Sequence, residues 1–493
     1  MPLLFLPFDI LEKILCCFDA RGVLVCGRVC KSLHDVVTTS LPIRYTIALA
    51  ARGMRDGSNH SASIAERLDM LEKYELAWRE LAWKESLRFE LPDPCRHVYM
   101  DDGFLLMIDQ RGHLKAARLP SPLRGVTFEE YKWNVPPGFF ERPFTVLMDP
   151  HRDLVAFLRA TDVPGSITLD ARSLSTGELH PLSPPSETIH FQRSVWDPLE
   201  EDSNASMCLW GRFLVMKCDV VVSGVRECCP RIYDWSQGGH DVTPIRSNAL
   251  VDALTFLDDT HALLLVSHRS SSDHQSSELL VADLQIIDAE GRATVTPAFQ
   301  LPSILWCCGG GLGCMIGLPP VVSKLADDGC YFEDDGWTLS NITTYPDESY
   351  TTAEQVALRV SFSALKTFMN GSYTGVTTEI PYSTWKKAVI LDHDIPPHSI
   401  HSHYMHGSRL FFGDLGASTL GVVDFHPRRL AWMQNSNPRY RETSFGIPPQ
   451  SLGIGQAIDL RISGDCLVVN EYGLGAGGLD LGPIVSITVY SLM

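Results

Sequence analysis

The sequence predicts an α+β multidomain chain: three short N-terminal helices, a linker helix, and then a large all-β region built as a β-propeller of six to eight blades. Three observations predict it. Apolar residues recur at three- to four-residue steps through roughly the first 85 positions, the spacing of one helix face. From about Leu91 onward that pattern gives way to short apolar runs separated by Gly, Pro, Asp and Ser clusters. Those runs come in pairs that return about every 50 residues, and a period of roughly 40–50 residues with about four strands apiece is the signature of radial repetition. A pair of large β-sandwiches is the rival architecture. The resulting boundaries are 1–50 for the first helices, 51–90 for the linker and its helix, and 91–493 for the β-region.

The first helix begins at Leu6-Pro7, since proline is tolerated in a first turn where its missing N–H would be unsatisfied anyway. Leu6, Ile10, Leu11, Ile14, Leu15 and Phe18 fan over an arc of about 140–180°, wider than the stripe a surface helix needs to face its own core. Part of that face is left to seek a partner. Two further short helices are read through Val23, Leu24 and Cys26 and through Cys30, Leu33, Val36 and Val37, before Leu41-Pro42 breaks the pattern. Some forty residues make too small a core to be stable unaided. The bland alternative is a first helical layer of a larger α-domain.

The order Leu6-Pro7, Ile10-Leu11, Ile14-Leu15, then Val29-Cys30-Lys31 resembles an F-box, the element by which a protein joins a cullin-type ubiquitin ligase. The resemblance implies that Leu6, Pro7, Ile10, Leu11, Ile14, Leu15, Val29, Cys30 and Lys31 pack against the adaptor Skp1. Leu33 stands where many F-boxes carry an aromatic residue. Arg44 to Met54, with Glu66-Arg67-Leu68 and Ala77-Trp78-Arg79, is similar to F-box proteins of mushroom-forming fungi, a likeness covering roughly the first 90 residues.

Met54 to Ser63 reads as a Gly/Ser/Asn/His linker. Ser63 and Glu66 then form a capping-box pattern, and Ile64, Leu68, Leu71, Tyr74, Trp78 and Leu81 or Ala82 follow one face of a helix expected to run to about Lys84. Ending in Trp78 and Trp83, this face suggests a strut packed onto the following domain.

In the β-region the predicted strands are Phe104–Ile108; Leu154–Leu158 with Ile167–Asp170; Phe213–Met216 with Arg231–Trp235; Ala262–Val266 with Leu279–Asp283; Arg409–Phe412 with Gly421–Phe425; and Cys466–Val469 with Ile487–Tyr490. The final strand, Ile484 to Leu492, is placed to complete the first blade and close the ring.

Composition narrows the function. The chain of 493 residues is 45% hydrophobic, with no apolar run near the roughly 18 residues of a membrane span, and Asp9, Glu12 and Lys13 interrupt its apolar start. The fourteen cysteines are scattered or adjacent, as in Cys16-Cys17, Cys228-Cys229 and Cys307-Cys308, and no CxxC occurs. Reduced thiols in a cytoplasmic or nuclear protein are expected, with no metal or other cofactor. The net charge is −18, and residues 1–60 hold seven Lys/Arg against five Asp/Glu, leaving 34 against 54 beyond them. Such a surface repels phosphate backbones, so neither nucleic acid nor membrane is an expected partner.

Four motifs invite chemistry. Gly473 to Gly478 satisfies GxGxxG, but only Leu479 to Met493 follow, reading as turn and strand instead of the helix a dinucleotide site needs. Gly309 to Gly313 lacks the Gly-Lys-Ser/Thr ending of a phosphate loop, and Ser363-Ala364-Leu365-Lys366 lacks the companions of a serine hydrolase. His393, His398, His401, His403 and His406 read as a solvated loop before Arg409, with a metal site as the alternative, since strand alternation would put His401 and His403 on one side.

No catalytic residue is assigned. The function the resemblance implies is a non-catalytic substrate receptor: the helices dock on Skp1, and through it a cullin, and the β-region captures a target protein for ubiquitination. The loops around Ser270 to Ser277 and Cys307 to Cys314 are the guessed target rim. The alternatives are a ligand-binding or enzymatic propeller with the His393–His406 segment at its mouth, and an F-box scaffold working outside a ligase.

Overall fold

The structure is a computed structural model. It describes residues 6–52, 54–57, 62–101, 103–109, 111, 113–135, 144–161, 167–183, 207–222, 225–244, 249–256, 259–268, 276–287, 293–300, 331–333, 337–344, 354–361, 379–380, 389–392, 403–406, 409–414, 419–424, 440–444, 458–463, 466–474 and 481–493.

Five helices open the described chain: α1 (Phe8–Leu15), α2 (Ala20–Cys26), α3 (Lys31–Thr39), α4 (Leu41–Arg52) and α5 (Ile64–Glu80). Sequence reasoning found four of them. It took Leu41-Pro42 only as the end of a helix; the pair also begins the next, because Pro42 sits in a first turn where no N–H is required. Pro7 is the N-cap of α1 instead of a helical residue, and its carbonyl accepts the amides of Ile10 and Leu11 at 3.0 and 3.1 Å. In α2 the cap is Asp19, whose carboxylate accepts the Gly22 amide at 2.7 Å.

The capping box of α5 is present in both directions, the Ser63 hydroxyl accepting the Glu66 amide and the Glu66 carboxylate accepting the Ser63 amide. The Ser63 hydroxyl, which donates to the Glu66 carboxylate at 2.7 Å, and then the Ser63 amide hold that carboxyl below its usual range. The helix stops at Glu80, short of the expected Lys84, since Leu81 turns into the left-handed region at φ 50°. Met54–Asp56, read as linker, forms the strand β1, which pairs with Tyr331–Glu333.

A large all-β region follows, from Trp83 onward. Its strands are β2 (Trp83–Asp101), β3 (Phe104–Asp109), β4 (His113–Arg118), β5 (Glu129–Asn134), β6 (Phe144–Asp149), β7 (Leu154–Ala160), β8 (Ile167–Ser173), β9 (Met207–Trp210), β10 (Phe213–Val222), β11 (Val225–Asp234), β12 (His240–Asp241), β13 (Ala249–Phe256), β14 (His261–His268), β15 (Ser276–Ile287) and β16 (Ala293–Gln300). There follow β17 (Tyr331–Glu333), β18 (Trp337–Thr344), β19 (Glu354–Ser361), β20 (Glu379–Ile380), β21 (Val389–Asp392), β22 (His403–His406), β23 (Arg409–Asp414), β24 (Thr419–Asp424), β25 (Tyr440–Ser444), β26 (Ile458–Ser463), β27 (Cys466–Leu474) and β28 (Leu481–Leu492).

Most neighbours in sequence pair antiparallel, giving meanders such as β6-β7-β8, β9 to β12, β13 to β16 and β22 to β25. Each strand pair read from the sequence is hydrogen-bonded as a pair. The largest sheet runs β26-β27-β28-β2-β3-β4-β5, so the last strand lies beside the first strand of the region, as expected. Two halves divide the work of β2. Trp83–Glu90 pairs with β28, and after an irregularity Cys95–Asp101 pairs with β3. Among the described residues no sheet closes on itself.

One backbone bond recurs in four successive sheets. Leu119, Leu174, Trp235 and Leu284 each donate an amide to the residue just before the partner strand, namely Gly103, Asp153, Arg212 and Thr260, at 2.7–3.0 Å. All four side chains are buried. The apolar clusters follow chain order. β3 and β4 pack on β6 and β7, β7 and β8 on β9 and β10, β10 and β11 on β13 to β15, and β27 and β28 on β2 to β4. The largest buried side chains, Trp210, Trp235, Phe104, Phe157, Phe213 and Phe256, lie in these layers, where full burial stabilises by about 1.5–3 kcal/mol for an aliphatic or Phe side chain.

Helix α5 is fastened to this region. Leu68, Leu71, Tyr74, Ala77, Trp78 and Leu81 share a core with Tyr45 and Leu49 of α4, Met54 and Leu467 of β27, with Tyr490 of β28 packed alongside. Trp78 meets Trp83 edge to face at 5.5 Å. A polar clamp completes the joint: Asp56 accepts from Arg67 at 2.5 Å and from the Tyr45 hydroxyl at 2.8 Å, while the Arg67 guanidinium lies 5.0 Å above the Tyr45 ring. The strut reading of this face therefore holds.

Candidate docking site

The first helices bury a small core and leave the rest of their apolar surface outside. Leu11, Leu15, Val23, Leu33, Val36, Val37 and Ile43 form that core, with Leu6, Cys26, Cys30 and Ile47 packed partly against it. Gly27 marks the close approach of α2 to α3, since a Cβ there would stand 3.4 Å from the Val37 side chain. Asp9 in the first turn and Lys13 in the last complement the dipole of α1.

Seven of the thirteen large apolar side chains exposed among the described residues fall within the first 41 positions: Phe8, Ile10, Phe18, Leu24, Val25, Val29 and Leu41. Val29 is 70% exposed and Val25 57%. Scattered singly such residues need no explanation, but here more than half of those in the described chain fall within some forty residues.

The nine residues singled out in the sequence divide by this geometry. Pro7, Ile10, Val29 and Lys31 are exposed; Leu6, Ile14 and Cys30 are half-buried; Leu11 and Leu15 are buried within the helices' own core. Sequence reasoning did not select Phe8, Leu24 or Val25, although the helical wheel of α1 and the short span of α2 carried that signal.

Two of the five segment histidines, His403 and His406, lie among the described residues. His403 and His406 stand at the two ends of β22, in register with Phe412 and Arg409, so this pair lies on a strand and not in the expected loop. The β-forming Tyr404-Met405 between them and the turn residues Gly407-Ser408 after them account for it. His393, His398 and His401 lie outside the described residues, as do Gly309–Gly313, Cys307–Cys314, Ser363–Lys366 and most of Ser270–Ser277. Among the described residues no three His, Cys, Asp or Glu side chains come together as a metal site, and no helix is long and apolar enough to cross a membrane. Gly473 and Leu474 are the last residues of β27, Gly475–Gly478 lie outside the described residues, and the next described element is the strand β28 and not the helix a dinucleotide site needs.

Comparison with known proteins agrees on the helices. Residues 3–45 match the F-box domain model. No curated protein matches the chain. Similar solved structures include the β-propeller domain of Cps50 (Swd1) from Myceliophteria thermophila, at 8% identity, covering 83% of this chain and 100% of that one with a TM-score of 0.35. The tricorn protease gives 12% identity, 83% and 36% coverage and a TM-score of 0.36, and the N-terminal domain of Nup159 gives 11%, 83% and 95%, and 0.33.

Proposed function

We propose, from the F-box domain at residues 3–45, that this chain is the substrate receptor of a Skp1-cullin-F-box ubiquitin ligase. F-box domains generally bind Skp1-type adaptors, and proteins that carry them generally serve such ligases as non-catalytic subunits. The observation that carries the reading is the coincidence of that match with the densest run of exposed apolar side chains in the described chain. The adaptor contacts are Pro7, Ile10, Val29 and Lys31 directly, with Leu6, Ile14 and Cys30 at their margin and Leu11 and Leu15 holding α1 from behind. Phe8, Leu24 and Val25 join the contact surface.

The β-region, on this reading, is a seven-bladed propeller that captures the target protein. Its blades are the second half of β2 with β3 to β5; β6 to β8; β9 to β12; β13 to β16; β18, β19 and β21; β22 to β25; and β26 to β28 joined by the first half of β2. Face-to-face packing of the first four sheets in succession, and of the last on the first, supports it. The working units are the docking helices, 1–50; the linker and strut, 51–90; and the receptor region, 91–493, in the cytoplasm or nucleus. Catalysis belongs to other subunits.

The test is co-purification with Skp1 of the wild-type chain and of Ile10→Asp, with circular dichroism on both. Stoichiometric capture by the wild type and its loss in the folded variant is the expected result. A folded wild type that captures no adaptor would overturn the reading.

A further inference from the structure

The docking helices and the edge where the β-region meets itself share one helix. At 3.6 residues per turn, Ile43 and Ile47 lie about 160° around α4 from Tyr45 and Leu49. Ile43 is part of the core of α1 to α3, with Ile47 packed on it, whereas Tyr45 and Leu49 belong to the core of α5. One face of α4 therefore closes the docking core, and the opposite face closes the joint.

That joint stands on the seam between the first and last strands of the region. Its base is Leu467 of β27 with Tyr490 of β28 packed alongside, and these two are register partners. Tyr490 is in turn opposite Glu85 of β2, and Trp83, which packs on the joint, is opposite Leu492. Only Leu81 and Ala82 separate α5 from β2, and the Ala82 carbonyl accepts the Met493 amide at 3.2 Å. The Ser86 hydroxyl meets that of Ser491 at 2.9 Å across the same pairing. Because α5 runs into β2 and rests on β27 and β28, the two sides of the seam cannot part while α5 stays packed on both.

We infer that the seam and the docking helices open and close together: a partner on the helices holds the seam shut, and an open seam withdraws the support of α4. The line of contacts is continuous, from Leu467 and Tyr490 through Leu71 to Tyr45, and across α4 to Ile43 and Leu33. The seven-residue docking core is too small to persist once α4 loses its second face. A partner that binds only the ordered helices therefore disfavours every opening of the seam that releases them, and the linkage is reciprocal. That the partner is Skp1 rests on the reading above; the coupling itself rests on the packing.

The test is backbone hydrogen exchange on the full chain, read by mass spectrometry over Trp83–Glu90 and Leu481–Leu492, with β10 and β11 as the reference. Those two strands take their apolar partners from β7 to β9 and from β13 to β16. With Skp1 at about 100 times its Kd, exchange at the seam should slow by at least ~10-fold, the ceiling being about 100-fold, and the reference should not change. Leu33→Ala, which opens a cavity in the docking core, should speed exchange at the seam by at least ~10-fold without any partner and leave the reference as it is. The inference is overturned if bound Skp1 leaves the seam as it was or slows the reference equally, or if Leu33→Ala leaves the seam unchanged. A wild type that captures no Skp1 would remove the ligase, and the Leu33→Ala comparison would then decide the coupling.

Discussion

The two ends of this chain handle apolar surface in opposite ways. In β3 every residue from Phe104 to Ile108 is buried, one face against β6 and β7 and the other against β27 and β28. In α1 and α2 more than half the residues are apolar too, yet Phe8, Ile10, Leu24 and Val25 face solvent. Sheets stacked on both sides satisfy themselves, whereas short helices around a seven-residue core cannot. Composition is shared; what differs is whether the chain itself supplies the second surface.

The sharpest way to break this contrast is to remove β28. Truncation before Leu481 strips the partner from Trp83–Glu90 and from β27 and opens the core holding Ile487 and Val489. We expect loss of cooperative unfolding in circular dichroism and proteolysis of the β-region. Next comes Leu15→Ala, which opens a cavity in the helical core and should cost about 2–5 kcal/mol, read as early melting of the helices while the sheets persist. Val29→Asp should leave melting unchanged and weaken Skp1 capture by at least ~100-fold, since a buried unpaired charge costs several kcal/mol; equal loss of fold in the two variants would erase the distinction between core and contact residues.

Asp56→Ala strips a nearly buried Arg67 of its carboxylate partner and should loosen the joint by about 2 kcal/mol, visible as faster proteolysis between Met54 and Ser63. Acid should produce the smallest effect. Asp109 feels burial pulling its carboxyl up, but the bonds from His113 and Arg111 win, and Glu130 is likewise lowered by Lys115 and Lys132. A carboxyl depressed on folding stabilises above its unfolded pKa and loses that contribution as pH falls through the folded value. The expected loss therefore begins near the ordinary values of 4.5 and 3.8 and deepens below them. An acid titration of Lys115→Met, with Glu130 less depressed, should show a smaller loss than the wild type.

What was legible in the sequence was local. Alternation and turn residues gave Leu154–Leu158 with Ile167–Asp170 and the other strand pairs, because hairpin partners are close in sequence. The capping box gave the start of α5, since Ser63 and Glu66 stand three residues apart. Its end was missed because a Leu, not a Gly, takes the left-handed turn at position 81. Helix α4 was missed because Pro42 serves equally as a stop and a start. The division of the F-box residues into buried Leu11 and exposed Ile10 needed three helices packed together. The repeated amide bond of Leu119, Leu174, Trp235 and Leu284 involves only backbone, so no shared residue announces it. Lys115, Lys132 and Glu130 come together only when β4 and β5 pair.

The halved strand β2 fixes an order of events during synthesis. Trp83–Glu90 leaves the ribosome early, yet its partner β28 is made almost 400 residues later, a wait of roughly 20–80 s at about 5–20 residues per second. Throughout that interval α1 to α5 are already made while the sheet that holds β2 is open along one edge. The edge closes only once β28 has been made, so the β-region completes its first sheet long after its first strand has emerged.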